Sequence, residues 1–326
     1  MKQFSLSNAW SQGLGHFSGK AAGHAILLIG LGILAPIALQ IALIGSAMGM
    51  MNPAMMGQNA LAGMAGLGGL LLLVMLLTYL FQLASYFGSW RLGFADESLV
   101  GATAYGLLAG VVAIVAFGLL IVLMVLIGMQ LQGAGAAVVL MLIFLIPLML
   151  LFAALYPVAV AAVAVGMFLL LLIVAAFGSS MGAMNPAMAM TGGGAVGLVV
   201  AFVFVLLLMW AAVRFSCTTS VMADRGTVNL LAGLGESWRM TATNQWRIMG
   251  YLALIGIVLC VLLFVFAMVV GASMMAGARA GAMPAMGAGT MIMSVVVAIP
   301  FAYLTVLIPA GIYRELRGPP AAEVFA

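Results

Sequence analysis

Charge is scarce in this chain: its 326 residues include ten Lys or Arg, six Asp or Glu and two His. Charged residues are 5% of the sequence against 67% hydrophobic, and mean hydropathy is +1.35. So few polar groups cannot cover a soluble core of this length, whereas runs of about twenty apolar residues suit a bilayer. The two cysteines, Cys217 and Cys260, exclude a disulfide framework and, without ligand spacing around them, a zinc site. None of the six carboxylates (Asp96, Glu97, Asp224, Glu236, Glu315, Glu323) lies in the middle of an apolar run. That argues against ion-coupled transport and against intramembrane hydrolysis, both of which need such groups among the spans. A metal-dependent phosphodiesterase would need clustered carboxylates with histidine support, so the expectation is a non-enzyme without a cofactor. The net charge of +4 reads as membrane topology rather than nucleic-acid binding.

What is present is a succession of apolar runs. They predict an all-α polytopic transmembrane bundle of about eight spans, with six spans plus a re-entrant hairpin as the alternative. The two counts differ at residues 136–177, too long for one span, with Tyr156-Pro157 placed to turn the chain. The chain reads as one membrane domain over 1–326, built from hairpins at about 21–88, 100–155, 158–213 and 247–313. Pro36 predicts a kink in the first span. Ala102, Gly106 and Gly110 form a small-residue stripe in the third, where another helix can approach closely. With an even number of crossings between 136 and 177, nine of the ten basic residues share one side and only Arg279 is opposite. By the positive-inside rule both termini are then cytoplasmic, in a bacterial inner membrane.

Three segments read as interfacial: 4–18, 89–99 and 226–246. Leu6, Trp10, Leu14 and Phe17 recur at helical spacing in the first, and Leu231, Leu234 and Trp238 in the third. Trp246-Arg247 then leads into the apolar run from Ile248. The candidate lipid-facing residues are Trp10, Lys20, Trp90, Arg91, Arg214, Trp238, Arg239, Trp246 and Arg247, with the arginines and lysine meeting phosphates and the indoles forming belts. His16 and His24, flanking Lys20, are expected near headgroups.

Ser237-Trp238-Arg239-Met240-Thr241, followed by Trp246-Arg247-Ile248 and Gly250-Tyr251, resembles the signature of bacterial membrane proteins grouped with the membrane domain of glycerophosphodiester phosphodiesterases. Arg214, Ile312-Tyr313-Arg314-Glu315-Leu316 and Ser7-Asn8-Ala9-Trp10 fit the same pattern. The resemblance is closest over 205–318 and thinner over 1–130. Ser220 stands near the place of a proline common in that family, and 137–196 looks like an insertion. Only some members of that family carry a fused phosphodiesterase domain, so the resemblance implies a membrane fold and no activity.

The segment from Gly45 to Met55 recurs from Gly178 to Met188, and sixteen of the 28 methionines cluster in or beside three such outer segments. Thioethers at Met48, Met51, Met55, Met181, Met184 and Met188 suit Cu(I), but no His or Cys joins them, and apolar linkers explain them better. The expected function is therefore a scaffold or accessory module, contacting anionic lipid or a partner protein, which includes a second copy of itself, through its cytoplasmic face. The alternatives are a transporter or channel for an uncharged or lipid-like substrate, and soft-metal handling by the outer segments. A continuous polar path between the spans would favour transport.

Overall fold

The structure, a computed structural model, describes residues 3–50, 56–95, 97–130, 147–182, 193–279 and 288–317. Every regular element among them is helical. They are α1 (Leu6–His16), α2 (Ala21–Ala25) running through a π-helical segment (Ile26–Leu34) into α3 (Ala35–Met50), α4 (Met56–Phe94), α5 (Leu99–Gln130), α6 (Pro147–Leu155), α7 (Pro157–Gly182), α8 (Gly193–Phe215), α9 (Thr218–Arg225), α10 (Leu230–Thr241), α11 (Gln245–Arg279) and α12 (Ala288–Arg317). Among the described residues six stretches are long and apolar enough to cross a bilayer: Ala21–Leu43, Gly68–Phe94, Leu99–Leu123, Ala201–Arg225, Gln245–Met268 and Val295–Arg317. Hydrocarbon leaves backbone groups no partner but each other, which is why such runs are helical throughout. The chain is an all-α polytopic membrane bundle.

At Pro36, where the sequence predicts a kink, the helix changes its hydrogen bonding. The turns before it widen into a π-helix, and Ala35 N–H bonds to the Gly30 carbonyl five residues back. Widening relieves the clash that a proline ring makes with the carbonyl four residues earlier. The small-residue stripe behaves as its spacing predicts. A Cβ on Gly106 would lie 2.2 Å from the Ala84 carbonyl oxygen, and one on Gly88 would lie 3.0 Å from that of Ala102. Backbone therefore meets backbone along an antiparallel α4–α5 hairpin.

Helices α6 and α7 meet at Tyr156 with a bend of 117°. Phe152 lies 6.0 Å from Phe117, deep in α5, while Tyr156 lies 5.9 Å from Tyr86. So α6 climbs towards the end of the bundle where α4 finishes. Helix α7 then descends beside α11, with Ala161 and Val165 against Gly256 and the Ala162 carbonyl accepting from Cys260 Sγ at 3.2 Å. Tyr86 precedes Phe94 by eight residues, about 12 Å of helix. The hairpin apex stops that far inside the bundle, with Leu155 and Val158 buried. Among the described residues the chain thus has six spans and this bent pair, matching the six-span alternative more nearly than eight full crossings; residues 131–146 lie outside the described residues.

Candidate functional site: a polar cap around Arg214

At one end of the bundle five stretches of chain come together: residues 3–24, 89–99, 213–229, 230–247 and 305–317. Eight of the ten basic residues belong to this cap: Lys20, Arg91, Arg214, Arg225, Arg239, Arg247, Arg314 and Arg317. Its two longer surface helices, α1 and α10, follow one rule. Helix α1 buries Ala9, Gly13 and His16, and α10 buries Gly233, Ser237 and Thr241. Their apolar stripes, Leu6, Trp10 and Leu14 on one and Leu231 and Trp238 on the other, stay exposed. The docking faces are small because backbones meet there: a Cβ on Gly311 would lie 2.1 Å from the Ala9 carbonyl, and one on Gly13 would lie 2.7 Å from that of Leu307.

Helix α8 ends at Phe215 and leaves carbonyls without intrahelical partners. Helix α10 supplies them. Ser237 Oγ donates to the Arg214 carbonyl at 2.8 Å and accepts from Cys217 N–H at 3.1 Å, and Thr241 Oγ1 donates to the same carbonyl at 3.3 Å. Asn229 caps α10 by accepting from Ala232 N–H. This lock sets Trp238 over the Arg214 side chain, with the guanidinium carbon 4.0 Å from the ring centroid. Trp210 lies 5.9 Å from the same carbon and stands edge-on to Trp238. Arg214 is only 8% exposed, and its Nε and Nη1 have no hydrogen-bond partner among the described residues.

The rest of the cap is densely bonded. Asn244 Oδ1 accepts from Phe4 N–H at 3.2 Å and Arg247 donates to the Phe4 carbonyl at 3.2 Å, so the start of α11 grips both backbone groups of one N-terminal residue. Phe4 packs 6.0 Å from Tyr251. Asp224 accepts from Tyr313 at 2.9 Å and from Arg317 at 2.6 Å, drawing the end of α12 to α9. Arg91 makes a two-armed pair with Glu97 at 3.0 and 2.7 Å, and donates to the Ala223 and Asp224 carbonyls at the end of α9. The pair holds the Glu97 carboxyl below its ordinary value. Gly226 closes α9 at φ +64°, a conformation that suits a residue without a side chain, and a Cβ there would press on Arg91 at 3.0 Å.

His16 and His24 are buried side by side, their ring centroids 5.4 Å apart. His16 Nε2 faces the Ser89 carbonyl at 3.2 Å, and His24 Nδ1 lies 2.6 Å from Ser89 Oγ. They do not reach headgroups as expected. Burial, with the Arg314 guanidinium close by, holds His16 well below the ordinary imidazole value. Among the described residues no third His, Cys, Asp or Glu joins them as a metal set.

No family model, curated protein or solved structure matches this chain. The residues named from its sequence are thus judged by position alone. Trp10, Trp238, Trp246, Arg239 and Arg247 are on the exterior, with Trp246 72% exposed. Trp90 is 1% exposed and donates from its indole to the Val306 carbonyl at 3.0 Å, so it belongs to the interior of the cap rather than to a lipid-facing belt. Within the 89–99 segment Ser89 is fully buried beside Trp90, while Arg91, Gly93, Phe94, Ala95, Glu97 and Leu99 are half-buried and Ser98 is exposed. Arg91 is engaged with Glu97 and α9, and Lys20 donates to the Ala95 carbonyl at 3.0 Å. Arg214 is buried, not spread on the surface. Met51, Met55, Met184 and Met188 lie outside the described residues, and of Met48 and Met181 only the helical backbone is described.

Two features had no sequence signal. Asp224 as the tie between α9 and α12 depends on residues 89 and 93 positions apart. The Asn244–Phe4 contact spans 240. Ser237, Trp238 and Thr241 were visible as a motif, but only the docked geometry gives each a task.

Proposed function

We propose that this chain is a non-enzymatic membrane module that engages anionic lipid headgroups through the polar cap, which faces the cytoplasm of a bacterial cell. The observation that carries the reading is the orientation of α1 and α10. Helix α1 docks by Ala9, Gly13 and His16 and α10 by Gly233, Ser237 and Thr241, and Leu6, Trp10, Leu14, Leu231 and Trp238 turn away from the protein, beside exposed cations. A helix divided among protein, apolar surroundings and water suits the bilayer surface. The side chains of Arg239, Arg317 and Arg225 are 80%, 58% and 52% exposed at the same level. Juxtamembrane cations attract acidic headgroups by on the order of 1 kcal/mol each. The nine-to-one basic asymmetry supports the cytoplasmic placement.

A scaffold is favoured over a transporter because the cap is bonded shut from several directions. A crevice of about 220 Å3 between α11 and α12 is lined by apolar side chains, among them Leu259, Leu263, Phe266, Val297 and Phe301. It supplies no polar path. The test is lipid analysis of protein extracted in a mild detergent. Retained lipid should be richer in anionic classes than the source membrane, and retained lipid matching the membrane's bulk ratio would count against the reading.

A further inference from the structure

Arg214 is the one arginine of the cap whose side chain is more than nine-tenths buried while making no hydrogen bond or ion pair among the described residues. Stacking on Trp238 satisfies the face of its guanidinium, but the N–H groups radiate from the edge, in the plane. No ion pair links Arg214 to an acid among the described residues; Glu97 pairs with Arg91, Asp224 with Arg317 and Tyr313, and Glu236 with Arg225 and Arg239. A buried charge in this state calls for an anion supplied from outside the chain.

The surface leading to it says which anion. Val203, Leu206, Leu207 and Trp210 precede Arg214 by eleven, eight, seven and four residues, which places them on one face of α8. All four are exposed, from 39% at Trp210 to 55% at Leu207. An apolar track therefore rises along the outside of a membrane-spanning helix and ends at an unpaired guanidinium flanked by two indoles. We propose that Arg214, Trp210 and Trp238 form a discrete site for one membrane phospholipid. The guanidinium grips the phosphate edge-on, the indoles wall the glycerol region, and an acyl chain lies on the α8 track. The site rests on the reading that this end of the bundle meets the headgroup layer, and it adds a single position that selects for phosphate rather than for net charge.

The test uses purified, delipidated protein and reads its unfolding temperature. Short-chain phosphatidylglycerol and phosphatidylcholine are each expected to raise it, because both carry the phosphodiester. Diacylglycerol of the same chain length, and inorganic phosphate at equal concentration, are expected to leave it within error. Arg214→Gln should raise the phospholipid concentration needed for half the shift at least tenfold. In the wild-type protein, mass measurement of the intact complex should find one phospholipid per chain that survives delipidation; this readout holds even if the variant folds poorly. An equal shift with diacylglycerol, an unchanged response in Arg214→Gln, or no retained phospholipid would overturn the site. A full shift with inorganic phosphate alone would overturn the lipid assignment. Enrichment of anionic over zwitterionic lipid that persists in Arg214→Gln would leave the cap's proposed function standing while this site fell. Phospholipid binding that depends on Arg214 without any anionic preference would do the reverse.

Discussion

Gly106 crosses Ala84 so closely that a methyl group on it would sit 2.2 Å from the Ala84 carbonyl oxygen. The contact holds α4 and α5 backbone to backbone, and the cap's Arg91, in the last turn of α4, pairs with Glu97 in the connection to α5. Gly106→Val should lower stability by about 1–3 kcal/mol, the usual cost of overpacking. Gly118→Ala, where an added Cβ meets nothing within 4 Å, is the control. Thermal unfolding in detergent reads both, and equal midpoints would show that the helices do not meet there.

The grip on Phe4 should be measurable by hydrogen exchange. Arg247→Ala removes a charge-assisted bond to the Phe4 carbonyl, and Asn244→Ala removes the acceptor for its N–H. Each is expected to cost about 1–3 kcal/mol locally. Amides of residues 4–10 should exchange faster by on the order of tenfold while the core of α5 is unchanged. Unaltered exchange in both variants would mean that α1 is held by its contact with α12 alone.

Ser237 joins two backbone groups at the end of α8, donating to the Arg214 carbonyl and accepting from the Cys217 N–H. Ser237→Ala should cost about 1–3 kcal/mol, since it leaves the Cys217 N–H without its acceptor and the Arg214 carbonyl with Thr241 alone. The readout is Cys217 itself, fully buried as a free thiol. In a Cys260→Ala background, alkylation of Cys217 should be slow in the parent and clearly faster with Ser237→Ala. Thr241→Ser, which keeps the hydroxyl, should stay close to the parent.

The His16 imidazole gives a pH dependence with a definite sign. Its folded value is depressed, so the unfolded chain binds the extra proton first and stability falls as pH falls. The contribution is complete above the unfolded value of about 6.5 and is lost as pH drops from there towards the folded value. His24, 5.4 Å away by ring centroid, and Arg314 are the charged or titratable neighbours that oppose protonation. His16→Gln should flatten the dependence of the unfolding midpoint between about pH 6.5 and 5. An unchanged slope would contradict the buried neutral imidazole.

Helices and tight helix contacts were legible because they are local: apolar runs set the spans, and the Ala102–Gly106–Gly110 spacing set the face that meets α4. The turn at Tyr156-Pro157 was legible for the same reason. Of the apolar stripes read for α1 and α10, Leu6, Trp10, Leu14, Leu231 and Trp238 are exposed, whereas Phe17 and Leu234 pack against the core, because periodicity does not tell which face docks on protein. Gly13 and Ser237 decide that, through backbone approach in one case and hydrogen bonding in the other. Trp90 shows the limit most plainly. Trp-Arg at the end of an apolar run resembles a belt anchor, yet the indole is satisfied by the Val306 carbonyl, 216 residues away. A pairing of that span leaves no trace in one sequence.

The central claim is that the cap meets acidic headgroups, and quenching of its tryptophans tests it most directly. Trp10, Trp238 and Trp246 are exposed at the cap, whereas Trp90 is buried. In nanodiscs of fixed total charge, brominated acyl chains are carried either by the anionic or by the zwitterionic lipid at equal mole fraction. The account predicts stronger quenching when the anionic lipid carries the bromine, with the difference reduced by Arg239→Gln combined with Arg317→Gln. Equal quenching by the two lipids would contradict it.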